Sequence, residues 1–110
     1  MINLLTETEA ALSENGKRPG DVQWVGSCDG LLLVDWDTFA TLADFEYNDG
    51  FGSQEVANDL VIVGCDWWLE RYEYDGSEGW EFKTIPIGRP SSRAFQTVST
   101  GGQRLTAGAK

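Results

Sequence analysis

Three strand-length runs in the second half of the chain, Leu60–Val63, Trp67–Tyr74 and Trp80–Ile85, constrain the fold more than any other feature. Each is rich in the β-branched and aromatic residues that suit a pleated, half-buried surface. Only Gly64-Cys-Asp66 and Asp75-Gly-Ser-Glu-Gly79 separate them, and connections that short predict a three-stranded antiparallel meander. Pro86 cannot donate to a ladder and closes the last strand.

The first half alternates between helical and strand patterns. Thr6-Glu-Thr-Glu9 fits a capping box, Ala10, Ala11 and Leu12 favour helix, and Asn15-Gly16 offers a left-handed stop, so a short helix is expected over residues 6–15. Lys17-Arg18-Pro19-Gly20 is a turn, and Val22-Gln-Trp-Val25 starts a strand with Val22 and Trp24 on one face. Asp29-Gly30 is a hairpin-type turn leading to Leu31-Leu-Leu-Val34, with Gly26-Ser-Cys28 beside it pointing to a longer loop or a bulge. Asp35 or Asp37 can cap a second helix in which Trp36, Phe39, Ala40 and Ala43 recur at offsets of three and four, ending near Asp44. Phe45-Glu-Tyr47 is its last turn or a short strand, Asn48–Ser53 is a loop, and Gln54–Asp59 is ambiguous.

The fold expected is therefore α+β: an antiparallel sheet made of an N-terminal hairpin and a three-stranded C-terminal meander, with two short helices packed on one face. Residues 1–87 form a single acidic domain. Residues 88–110, with Gly, Ser, Thr, Arg and Gln and only scattered apolar side chains, are expected to form a flexible, weakly basic tail.

Charge narrows the range of partners. All 18 acidic residues lie at or before Glu81, and only Lys17, Arg18 and Arg71 oppose them there, so that body carries −15 and the remainder +5. Such a body repels nucleic acid and attracts basic protein surfaces. Histidine is absent, which removes the commonest general base and metal ligand and argues against zinc enzymes and histidine-based triads. Cys28 and Cys65 match neither a zinc spacing nor a disulfide framework and are expected to be reduced, structural thiols. No apolar run approaches the ~20 residues that span a bilayer. The start, Met1-Ile-Asn-Leu-Leu-Thr-Glu, lacks the pattern of a signal peptide, so a cytoplasmic location is expected.

The densest chemistry lies in Asp66–Lys83, where aromatic and charged residues interleave. Strand alternation puts Trp68, Glu70, Tyr72 and Tyr74 on one face and Trp67, Leu69, Arg71 and Glu73 on the other; Trp80 and Phe82 share a face, as do Glu81 and Lys83. Most of these aromatics are core residues, because a small sheet needs large side chains to bury, yet five tryptophans exceed what such a core needs. At least one is expected at the surface, with Trp67 or Trp68 the first candidates. Paired carboxylates such as Glu70 with Glu73, or Glu78 with Glu81, have glycosidase-like composition but are expected by chance in so acidic a chain, and no catalytic residue is assigned. Asp35-Trp-Asp37 and Asn48–Glu55 offer oxygen ligands without the alternation of a calcium loop, and turn or capping chemistry accounts for both. No metal or cofactor is assigned. The candidate contact residues are Trp67, Trp68, Glu70, Tyr72, Glu73, Tyr74, Glu78 and Glu81.

The Trp68-Leu-Glu-Arg71 run, the Tyr74-Asp-Gly-Ser-Glu78 turn and the Trp80-Glu-Phe-Lys83 strand resemble small uncharacterised proteins encoded in bacterial and phage genomes. The resemblance covers about residues 45–87 and implies no catalytic role. With the charge pattern, the expected function is a non-enzymatic acidic binding protein, in the form of a phage or mobile-element accessory inhibitor that engages a basic nucleic-acid-handling protein by mimicking nucleic acid. The alternatives are a carbohydrate or small-ligand module using Trp67, Trp68, Tyr72, Tyr74 and Trp80 as an aromatic platform, or a structural component of a virion.

Overall fold

The computed structural model describes residues 1–50, 52–85, 94, 96–99 and 101–105. In chain order it contains β1 (Ile2–Asn3), α1 (Leu4–Glu14), a 3-10 turn (Pro19–Asp21), β2 (Trp24–Ser27), β3 (Leu33–Val34), α2 (Trp36–Leu42), β4 (Glu46–Tyr47), β5 (Leu60–Val63), β6 (Trp67–Tyr74) and β7 (Ser77–Thr84). The architecture is α+β, as the sequence pattern implies. Hairpin and meander are parts of one five-stranded antiparallel sheet of order β3-β2-β5-β6-β7, joined by the pairs Trp24↔Val63 and Val25↔Ile62. The added piece is a two-stranded ribbon in which β1 pairs with β4, Ile2 opposite Tyr47.

Local chemistry sets the boundaries. Asn3, not Thr6, caps α1: its side-chain oxygen accepts from the Thr6 amide at 2.9 Å, so the helix starts at Leu4 and the expected Thr6–Glu9 box does not cap it. Asp35 caps α2 by accepting from the Thr38 amide at 2.8 Å. Between β6 and β7 the turn is shorter than expected. Asp75 and Gly76 both have positive φ, 52° and 86°, which identifies a two-residue type I′ turn whose twist matches the strands it joins. The ladder consequently begins at Tyr74↔Ser77 and runs for eight pairs, so β7 starts three residues before the predicted Trp80. At the other end β7 stops at Thr84, and Pro86 lies outside the described residues.

One face of the sheet carries the core. Val25, Ile62, Leu69 and Phe82 lie in one cross-strand row on β2, β5, β6 and β7. Leu4 and Leu12 of α1, Phe39 of α2, Ala43 and Tyr47 pack with this face, so both helices lie on the same side. Full burial of side chains of this size contributes ~1.5–3 kcal/mol each. The β2–β3 hairpin closes unusually tightly over Gly26. A Cβ there would sit 1.9 Å from the Leu32 carbonyl oxygen, so only glycine admits the crossing chain.

Cys28 and Cys65 are free, as expected, but both are exposed rather than buried. They flank opposite ends of β5, on the order of 15 Å apart for a strand of that length, beyond disulfide reach. Of the tail expected over residues 88–110, only Ala94, 96–99 and 101–105 are described, and these form neither helix nor strand. Among the described residues no helix is long and apolar enough to cross a membrane.

Candidate functional site

The alternation of β6 divides the candidate residues between the two faces of the sheet, and the inward set is not available to a partner. Trp67 is 3% exposed and stacks on Phe82, with centroids 5.9 Å apart. Glu78 is 4% exposed and ion-pairs with Arg71 at 2.9 Å. Trp67 faces inward because it shares a pleat with Leu69 and Arg71, the buried positions of β6. Glu78 does so because the two-residue turn places it on the pleat of Trp80, which pairs with Arg71.

Arg71 is the hub of the inward polar cluster. Its guanidinium lies over the rings of Trp80 and Tyr47, 4.7 and 5.6 Å from their centroids. Nη2 donates to Tyr47 Oη and to Glu78 Oε1, both at 2.9 Å, while Nη1 lies 3.5 Å from Glu7 Oε1. Tyr47 Oη donates in turn to Glu7 Oε1 at 2.6 Å, and Glu78 accepts from the amides of Glu55 at 2.7 Å and Val56 at 3.2 Å. Trp80 Nε1 donates to Thr8 Oγ1 at 2.9 Å, tying β7 to α1. Burial, aided by the hydrogen bond to Glu7, pushes the Tyr47 phenol well above its ordinary value. Burial works against the Arg71 charge, but hydrogen bonds to Tyr47 and Glu78 outweigh it and hold the guanidinium above its ordinary value. Both groups therefore keep their protons through the neutral range. The cluster fastens β4, α1, β6, β7 and residues 55–56 to one another.

The outward face is the candidate site. Its two cross-strand rows are Trp24, Val63, Trp68 and Lys83, then Gly26, Val61, Glu70 and Glu81, with Tyr72 over Gly79 and the exposed Tyr74 beyond. A groove of about 420 Å³ lies between Trp24 and Trp68, with Val61, Val63, Asn58 and Glu70 also lining it. Trp68 Nε1 donates to Glu70 Oε1 at 2.7 Å, which fixes the indole against a carboxylate. Glu70 and Glu81 oppose each other across β6 and β7, and Lys83 Nζ bridges them at 3.8 and 3.3 Å. Such exposed pairs contribute little, ~0–1 kcal/mol.

Trp68, Glu70, Tyr72, Tyr74 and Glu81 are thus brought together on one face, whereas Glu73 lies on the opposite pleat and accepts from the Gly76 amide at 3.0 Å. Glu70 and Glu73 do not share a face, nor do Glu78 and Glu81, so neither pair can flank a single bond. Trp24, Val61 and Val63 were not among the sequence candidates. The alternation of Val22 and Trp24 was visible, but only the β2–β5 register puts Trp24 beside Trp68.

The surface as a whole is acidic. Fourteen of the 18 acidic side chains are exposed, and among the described residues only one of those fourteen, Glu81, forms an ion pair. Several others serve local structure: Asp29 accepts from the Ser27 hydroxyl and the Leu31 amide, and Asp35 caps α2. These bonds hold both carboxyls below their ordinary value, Asp29 through Ser27 first and Leu31 second, Asp35 through the Thr38 amide first. The chain matches no protein-family model, and no curated protein or solved structure is significantly similar to it.

Proposed function

We propose that the protein is a non-enzymatic acidic binding protein that occupies the lysine and arginine side chains of a basic, nucleic-acid-handling protein, as an accessory inhibitor from a phage or mobile element would. The observation that carries this is the set of fourteen exposed carboxylates with one ion pair among the described residues. Carboxylates left without cations repel one another and cost stability, and a cationic partner removes that cost while it binds. The free, exposed thiols suit a reducing compartment, in keeping with the cytoplasm.

The test is a pull-down from host lysate at low and high salt, followed by competition of any retained protein with duplex DNA and RNA. A basic partner that is retained at low salt, released at high salt and displaced by nucleic acid supports this function. Retention that ignores both salt and nucleic acid, or no retention at all, overturns it.

A second function fits the outward groove. Its volume of about 420 Å³ lies in the range of small-ligand sites, and Trp24 and Trp68 give it stacking surfaces. A sugar or other flat ligand seated there would quench tryptophan fluorescence in a saturable way; a flat response across an oligosaccharide panel removes this possibility.

A further inference from the structure

The tip of the β2–β3 hairpin and the end of α2 expose a patch of large apolar side chains, separated from the outward groove except at Asp59, which lines both. Leu31 is 81% exposed, Leu32 72%, Leu42 65%, Leu33 61% and Phe45 44%. Below them lies a second groove, of about 390 Å³, walled by Leu32, Leu33, Leu42, Phe45, Val56 and Leu60. Its lining is almost wholly apolar. The exceptions include Glu55 and Asp59, both exposed at its rim and neither in an ion pair among the described residues.

We infer that this groove receives a basic amphipathic helix of a partner protein, its apolar side chains seated between Leu32, Leu42 and Phe45 and its lysines or arginines against Glu55 and Asp59. The inference rests on the basic-partner function proposed above and places where that partner docks. Two observations select this occupant.

The first concerns hydrogen bonding. At the hairpin tip the Leu31 amide donates to Asp29, the Leu32 amide to the Ser27 hydroxyl, and the Leu32 carbonyl accepts from the Ser27 amide. These bonds hold the tip closed on β2, so its leucine side chains stand as a fixed apolar surface above the groove. An apolar floor with polar ends is the surface that takes a helix by its i, i+3, i+4 face. The second is charge. A second copy of this chain would bring −10 to −10 and carboxylate rim to carboxylate rim, whereas a basic helix meets complementary charge. The chain's own tail does not fill the groove with its described apolar residues, since Val98 and Leu105 are 76% and 56% exposed.

The experiment uses the full chain and a fluorescein-labelled synthetic helix of leucine and lysine, patterned to be amphipathic, read by anisotropy. Oligolysine of equal charge is the control. The amphipathic peptide should bind at least ten times more tightly than oligolysine. Leu32→Ser/Leu42→Ser should lower its affinity at least tenfold, and Glu55→Gln/Asp59→Asn should lower both the affinity and its salt dependence. Ser13→Ala, exposed on α1 and outside both grooves, should change nothing. Should the leucine variant fail to fold by circular dichroism, the Glu55/Asp59 variant carries the test, because both carboxylates are exposed.

Equal binding of the two peptides, or an affinity unmoved by the groove variants, overturns the groove site and leaves the basic-partner function standing. Binding of neither peptide counts against both. Sedimentation that shows a dimer, lost in Leu32→Ser/Leu42→Ser, assigns the groove to a second copy and also overturns the inference.

Discussion

At the scale of single residues, Arg71 matters most to stability. One guanidinium, fully buried at its side chain, serves Tyr47, Glu78 and Glu7 and lies over two rings. Removing it would strand the nearly buried Glu78 carboxylate without its cation, and breaking such a pair from one side costs ~3–5 kcal/mol. Arg71→Ala is therefore expected to lower the unfolding free energy by about that amount in urea titration, and a loss under ~1 kcal/mol would mean the cluster does not hold the fold together. Arg71→Lys should recover only part, since an ammonium lacks the planar group that lies over Trp80 and Tyr47 and the second nitrogen that reaches Glu7. Asp35 gives a pH signature instead. The Thr38 amide, then the Thr38 side chain, lower its carboxyl value in the folded state, so its contribution is complete above the ordinary 3.8 and is lost as the pH falls through the folded value. Asp35→Asn keeps the capping oxygen and removes the titration. The two proteins should melt alike at neutral pH, and the wild type should lose more of its melting temperature in acid; parallel curves would show that the Asp35 cap is not linked to folding.

At the scale of elements, the strands of the meander and α2 were legible because their signals are local: β-branched and aromatic runs, and Asp35 ahead of a helical period; the break at Asp75-Gly76 was visible too, but Gly79 made the connection look five residues long rather than two. What could not be read depends on contacts between distant residues. Nothing near Ile2-Asn3 announces a strand, since its partner Glu46-Tyr47 lies more than forty positions away. The candidate surface split for the same reason. Trp67 and Trp68 are indistinguishable as neighbours in sequence, and only pairing with β5 and β7 decides which one joins the buried core. Glu78 looks like one acid among many until the turn length sets it opposite Glu73 and on the pleat of Arg71. Gly26 supplies a test of how tightly the hairpin is specified. A methyl group there meets backbone, not a flexible side chain, so Gly26→Ala should cost ~1–3 kcal/mol, in the range of overpacked cores, by displacing β3. Amide chemical-shift changes should concentrate at residues 26–34 and leave the β6–β7 ladder unmoved; changes spread evenly over the sheet would contradict a hairpin that closes locally.

At the scale of the whole molecule, the same charges should act with opposite sign on stability and on recognition. The body to Glu81 carries 18 acidic residues against three basic ones, and one of those three, Arg71, is sealed in the inward cluster where it neutralises neighbours rather than the surface. Its exposed carboxylates therefore act together as a repelling shell. Added salt screens such a shell, since the Debye length falls from ~30 Å at 0.01 M to ~8 Å at physiological ionic strength, shorter than most distances across the sheet. The attractive pairs that salt would weaken, Lys83 with Glu70 and Glu81, are exposed and worth little. Repulsion should win, and the melting temperature should rise from low to physiological salt. Binding to a basic partner should weaken over the same series, because there the screened interaction is the attractive one. Thermal melts and affinities measured on one set of buffers separate the two effects. A melting temperature that stays flat or falls with salt would mean that the carboxylates do not repel collectively, which removes the physical basis for a surface that seeks cations.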